Sequence, residues 1–99
     1  MNNKILSFIS LATKAGKISS GEFSAEKTIK ERKACLVIVA EDASEHTKNK
    51  FVNMCNFYNV PIFFFGTKDE LGHFTGKELR ATLAVTDEGF AKGIAKCFK

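Results

Sequence analysis

The sequence predicts an α/β fold in which helices cover both faces of a small sheet. Three observations carry that prediction. Leu36–Ala40, LVIVA, is an unbroken apolar run rich in β-branched residues, the pattern of a short strand buried on both faces. Segments of helical and strand period alternate along the whole chain, which places helices on either side of a sheet. The apolar run also stops abruptly at Glu41 and Asp42 before a helical pattern resumes. A central strand ends this way at the edge where open α/β sheets bind ligands.

The elements follow in order. Asn3–Ala15 is an amphipathic helix with Ile5, Phe8, Ile9 and Ala12 at helical spacing and Leu6 and Leu11 widening the stripe. Asn2 or Asn3 can cap it, and Gly16 stands where a helix ends. Lys17–Ser20 is an edge strand or a turn. Glu22–Lys33 is a second helix with Phe23 and Ile29 facing inward, and Ser19 with Glu22 fits a capping box. Gly21 at its mouth leaves backbone N–H groups uncovered, which suits an anion. A plain cap glycine explains it equally well.

After the central strand, Ser44–Tyr58 is a third helix with an apolar face of Phe51, Met54, Cys55 and Tyr58. Val60–Phe65 reads as a second buried strand, with Pro61 confined to its first residues. Gly66–Phe74 is a loop and a short helix with Asp69 and Glu70 in its first turn. Leu71, Gly72 and Gly76 form an LGxxxG element. Arg80–Val85 is a further strand. Thr86 or Asp87 caps a last helix whose inner face is Phe90, Ile94, Cys97 and Phe98. Gly89 and Gly93 weaken that helix by roughly 1 kcal/mol each relative to Ala, unless they serve close packing.

At 99 residues the chain has room for one domain, 1–99, and its 10 Phe supply ample core material. Fifteen Lys and Arg against 11 Asp and Glu give a net charge of +4, which permits a polyanionic partner without requiring one. Cys35, Cys55 and Cys97 are odd in number, far apart and flanked by apolar residues. They read as reduced core cysteines of a cytoplasmic protein. His46 and His73 have no ligand-spaced partner, so no metal site is expected. No P-loop or GxGxxG occurs, and no cofactor is implied. The N-terminus is amphipathic rather than a signal peptide, and no apolar run approaches the ~20 residues of a membrane span, so no membrane partner is expected.

Two chemistries remain. Glu41–Asp42 is the acidic pair at a strand end, but no nucleophile–base pairing accompanies it, and Asp42-Ala-Ser-Glu also fits a capping box. Lys14, Lys17, Lys27, Lys30, Arg32 and Lys33 cluster in the first third of the chain. Lys27 and Lys30 share a helix face that a phosphate backbone laid over Gly21 would meet.

Several segments fall together at the spacing of one family. They are Ala15-Gly16-Lys17, Gly21 with Lys27 six residues on, LVIVAEDAS at Leu36–Ser44, and Asn59-Val60-Pro61. Leu71-Gly72 with Gly76 and Ala84-Val85-Thr86-Asp87 complete the series. No single motif is specific; the series is, and it covers nearly the whole chain. It resembles the ribosomal L7Ae family of kink-turn RNA-binding proteins, in particular its short bacterial YlxQ-like members. The resemblance implies a three-layer α/β/α sandwich around a four-stranded mixed sheet. It also implies a non-enzymatic protein that binds a kink-turn or similar internal loop in ribosomal or regulatory RNA, such as an mRNA leader, with the ribosome or translation factors as further partners.

The same resemblance implies a site. In the family, the N-terminus of the second helix enters the widened groove of a kink-turn, where tandem sheared G·A pairs expose guanine edges. A flipped-out base rests on the LGxxxG loop. Gly21 then allows close backbone approach, and Lys27 meets phosphate or a guanine edge; Lys17 and Lys30, from the basic cluster, are counted with the RNA-binding residues on their charge. Leu71, Gly72 and Gly76, with Leu79, form an apolar loop surface, and Glu41 and Asp42 stand beside the site. The family pattern of Asn-Glu is replaced here by Phe23 and Ser24. A lost charge-assisted hydrogen bond costs roughly 1.5–3 kcal/mol. So binding is weaker, or Glu22 and Glu26 substitute by a shifted register, or the RNA differs. The alternative function is a protein-interaction adaptor of the translation machinery with weak RNA affinity. A third is an enzyme using Glu41 or Asp42.

Overall fold

A computed structural model describes residues 3–98. The elements run α1 (Asn3–Lys14), β1 (Ile18–Ser20), α2 (Glu22–Lys30), β2 (Leu36–Val39) and α3 (Glu45–Tyr58). They continue with β3 (Ile62–Phe64), α4 (Lys68–Phe74), β4 (Thr82–Val85) and α5 (Glu88–Cys97). The strands form one mixed sheet in the order β1-β4-β2-β3. β4 runs antiparallel to both β1 and β2, and β3 runs parallel to β2. Helix α1 packs against α4 and α5, and α2 packs against α3, so two helical layers enclose the sheet.

The inner strands are β2 and β4, and every residue in both is buried. That is why β2 reads as an uninterrupted apolar run: both of its faces are covered. Phe51, Ile5, Ile9, Ile29, Leu71 and Ile94 close over it from the helices. On α5, a Cβ at Gly93 would stand 2.9 Å from the Phe8 ring, so this glycine does serve close packing of α1 on α5.

Several expectations are corrected. β3 is half-buried, and Phe64 is 38% exposed, because β3 is the outermost strand and has no neighbour on its far side. The stack of Phe63 on Phe98, with centroids 4.4 Å apart, covers one face only. Leu11 is exposed rather than part of the α1 stripe. Helix α2 ends at Lys30, with Arg32 at φ 60 turning the chain. Its inner residues are Ala25, Thr28 and Ile29. Phe23 lies about 200° round the helix from Ala25 and points to solvent.

Both proposed Ser19 and Asp42 capping boxes are absent. Gly21 is the N-cap of α2, and Ser19 Oγ instead accepts from Thr28 Oγ1 at 2.8 Å. Ser44 caps α3 by accepting from the Thr47 N–H. Asp87 caps α5 as expected. The proposed cap on α1, at Asn2 or the Asn3 side chain, lies outside the described residues.

Candidate nucleic-acid interface

The sheet has two distinct ends, and the register decides which residues share one. The Gly21 N–H donates to the Thr82 carbonyl at 2.9 Å, and the Ala40 N–H to the Ala81 carbonyl at 2.8 Å. At the opposite end the Thr86 N–H donates to Lys17, and the Cys35 N–H to Val85. Gly21, Glu41, Asp42 and the α4–β4 connection therefore gather at one end. Lys17 belongs to the other, a β1 length away, and does not join them.

Gly21 has φ 98 and ψ 155, a backbone that L side chains rarely adopt. It opens α2 with no side-chain cap. The N–H groups of Glu22, Phe23 and Ser24 take no acceptor among the described residues. The positive end of the helix is therefore left open to an anion. The Arg80 side chain lies across this mouth: a Cβ on Gly21 would stand 3.6 Å from Arg80 Nε. Arg80 Nη1 donates to the Leu79 carbonyl at 2.7 Å, while its buried Nε has no partner among the described residues. Sequence reading missed Arg80. Its signal was its place one residue after Leu79, where the loop returns to the sheet.

The LGxxxG element builds that loop rather than forming its surface. Leu71 is fully buried and cannot present an apolar contact. Gly72 is buried because a Cβ there would stand 1.8 Å from the Glu78 carbonyl oxygen. The Lys77 N–H donates to the Gly72 carbonyl at 2.8 Å, and Gly76, at φ 74, makes the turn between them. The closed loop presents Leu79, which is 57% exposed, next to Arg80.

On α2, Lys27 is exposed and makes no ion pair among the described residues, whereas Lys30 pairs with Glu26 at 2.8 Å. Lys50 on α3 reaches Glu26 at 2.7 Å and Glu22 at 3.1 Å. Hydrogen bonds from Lys30 and Lys50 hold the Glu26 carboxyl down to about 2. The same two acids raise the Lys50 ammonium, Glu26 more than Glu22. Glu22 and Glu26 are thus both paired with Lys50 of α3. Ser24 is exposed beside Phe23. The other basic residues are dispersed: Lys33 pairs with Glu31, and Arg32 lies 5.1 Å over the Tyr58 ring.

Glu41 and Asp42 lie at the same end of the sheet and are exposed. Asp42 Oδ1 accepts from the Lys68 N–H at 2.9 Å, which ties the β2–α3 turn to the start of α4. The Arg80 N–H donates to the Lys68 carbonyl at 3.0 Å, so the acids border the Arg80 loop rather than entering it. The three cysteines are free, and burial pushes the Cys55 thiol up to about 11. Among the described residues no cluster of His, Cys, Asp and Glu could hold a metal ion, and no helix is long and apolar enough to cross a membrane.

The chain is similar to the RNA-binding protein YlxQ of Bacillus subtilis (strain 168), with 43% identity over 83 residues. That match covers 84% of this chain and 83% of that protein. It is similar to the RNA-binding protein YlxQ of Enterococcus faecium, with 39% identity covering 90% of this chain and 85% of the relative. The solved structure of a Bacillus halodurans protein of unknown function superposes with a TM-score of 0.90 and 34% identity, covering 94% of each chain. The model of one family matches residues 3–95. With that match and these relatives, the chain belongs to the ribosomal protein L7Ae/L30e/S12e/Gadd45 family.

Proposed function

We propose that this chain acts as one cytoplasmic, non-enzymatic domain that binds structured RNA through the α2 mouth and the α4–β4 loop. Its target is a kink-turn or similar internal loop in ribosomal or regulatory RNA. The observation that carries this reading is the place of the Arg80 side chain beside Gly21, where a Cβ would stand 3.6 Å from its Nε. Arg80 follows the exposed Leu79 and lies beside the open first turn of α2, and Lys27 stands further along that helix. Free N–H groups and cations suit phosphate, and an exposed apolar side chain suits an unstacked base. Both relatives named YlxQ are called RNA-binding proteins. Asp42 Oδ1 accepts from a backbone N–H, which supports a structural role for the acidic turn.

A second reading is favoured by one observation on another side. Val52 on α3 and Phe64 on the outer strand β3 are exposed, and a groove of about 490 Å³ is lined by Val52, Asn56, Asn59, Val60 and Ile62. Such a face suits a protein partner in the translation machinery.

Titration into two RNAs at one salt concentration separates the readings. One RNA is a kink-turn with tandem G·A pairs, and the other has those pairs made Watson–Crick. Tight binding to the first alone is the expected result. Equal, weak, salt-sensitive binding to both overturns shape-specific recognition.

A further inference from the structure

We propose that Phe23 is a stacking platform for one unpaired RNA base. This rests on the RNA reading above and names what that site grips. Phe23 is 82% exposed, the most exposed large hydrophobic side chain among the described residues. A lone exposed apolar residue needs no explanation; the surroundings of this one do. Phe57 is also exposed at 74%, but it leans edge-on against Tyr58, with centroids 4.9 Å apart. Phe23 has no aromatic partner among the described residues.

The ring stands on the first turn of α2. Lys27 is one turn on, and the open N–H groups and Arg80 lie at the helix mouth. It forms a wall shared by two grooves. One, of about 320 Å³, is lined by Phe23, Glu26, Lys27, Lys30 and Glu31. The other, of about 430 Å³, is more polar and includes Ser19, Ser24, Thr28 and Lys33 with Phe23 and Lys27.

A ligand that fits must offer a flat apolar face within one helical turn of negative charge. A nucleotide in a strand does so, with its base on the ring and its phosphates at Lys27 and the α2 mouth. The face of a base carries no hydrogen-bond code, so stacking tolerates any base at that position. Phe23 and Ser24 then favour a splayed RNA over one whose guanine edges must be read.

The test uses the full chain and a kink-turn RNA carrying 2-aminopurine at its unpaired position. Phe23→Ala should weaken binding roughly 5- to 100-fold and abolish the fluorescence change of the probe. Phe23→Trp should restore both, and Phe23→Leu should not, which separates stacking from mere apolar contact. Melting temperatures should stay level because the ring is exposed. Lys27→Ala is the control for the site. If Lys27→Ala weakens binding while Phe23→Ala leaves affinity and fluorescence unchanged, the RNA reading stands and the stacking role is overturned. If neither variant changes binding, the site itself is wrong and the stacking role falls with it.

Discussion

Lys50 Nζ and Glu26 Oε1 stand 2.7 Å apart, and the same ammonium reaches Glu22 at 3.1 Å. One residue of α3 thereby holds two acids of α2. Lys27 then stands beside Phe23 as a cation without an ion-pair partner among the described residues, in a groove that also carries the paired Glu26 and Glu31.

This pairing has a pH signature. Glu26 titrates near 2 in the folded chain against an ordinary value of 4.5. Its contribution is therefore fully present above about 4.5 and is lost as pH falls through about 2. Glu26→Gln should cost about 0.5–1 kcal/mol at pH 7, a typical value for a partly exposed pair. That difference should shrink steadily between pH 5 and 2. Urea unfolding at several pH values checks it, and a difference independent of pH would count against the pairing.

Gly72→Ala should damage fold and site together. The new Cβ would meet the Glu78 carbonyl oxygen at 1.8 Å, so the loop must move. Overpacking of this sort costs about 1–3 kcal/mol. RNA affinity should fall beyond what the reduced stability explains, because Leu79 and Arg80 ride on that loop. Thermal melts alongside RNA titration measure both.

Arg80→Ala and Lys27→Ala should each weaken RNA binding by about 1–3 kcal/mol, the range of a charged hydrogen bond. Each should also flatten the dependence of log affinity on log salt by about one unit for every phosphate no longer neutralised. Lys17→Ala should change neither quantity much, since Lys17 lies at the far end of the sheet. Affinities at three salt concentrations separate the variants.

Leu79→Asp should reduce RNA binding with little change in melting temperature, because the side chain is 57% exposed. Leu71→Asp should unfold the chain, because its side chain is fully buried. Similar melting temperatures for the two variants would contradict the placement of the loop.

The core strand was the most legible part of the fold. LVIVA announced β2 because burial on both faces removes every reason for a polar residue there. β3 was less legible. Its residues are as apolar as those of β2, and only the strand order reveals that one side faces solvent. Phe23 misled for a related reason: a phenylalanine on an amphipathic helix suggests an inner face, and the Ala25–Thr28–Ile29 stripe that excludes it is weakly apolar.

Sequence also marked the α2 mouth through Gly21, but not its company. Arg80 is 59 positions away and reaches Gly21 only through the β1–β4 pairing. Ser19 and Asp42 looked like helix caps because short polar side chains fit many local roles. Their real partners, Thr28 and the Lys68 N–H, are set by strand and loop packing.

Whether RNA meets the α2 mouth and the α4–β4 loop is tested most directly by amide chemical-shift mapping during titration with a kink-turn RNA. The largest shifts should fall on residues 21–27 and 76–80. Shifts confined to the β3 edge around Val52, Ile62 and Phe64, with 21–27 and 76–80 unmoved, would contradict that binding mode.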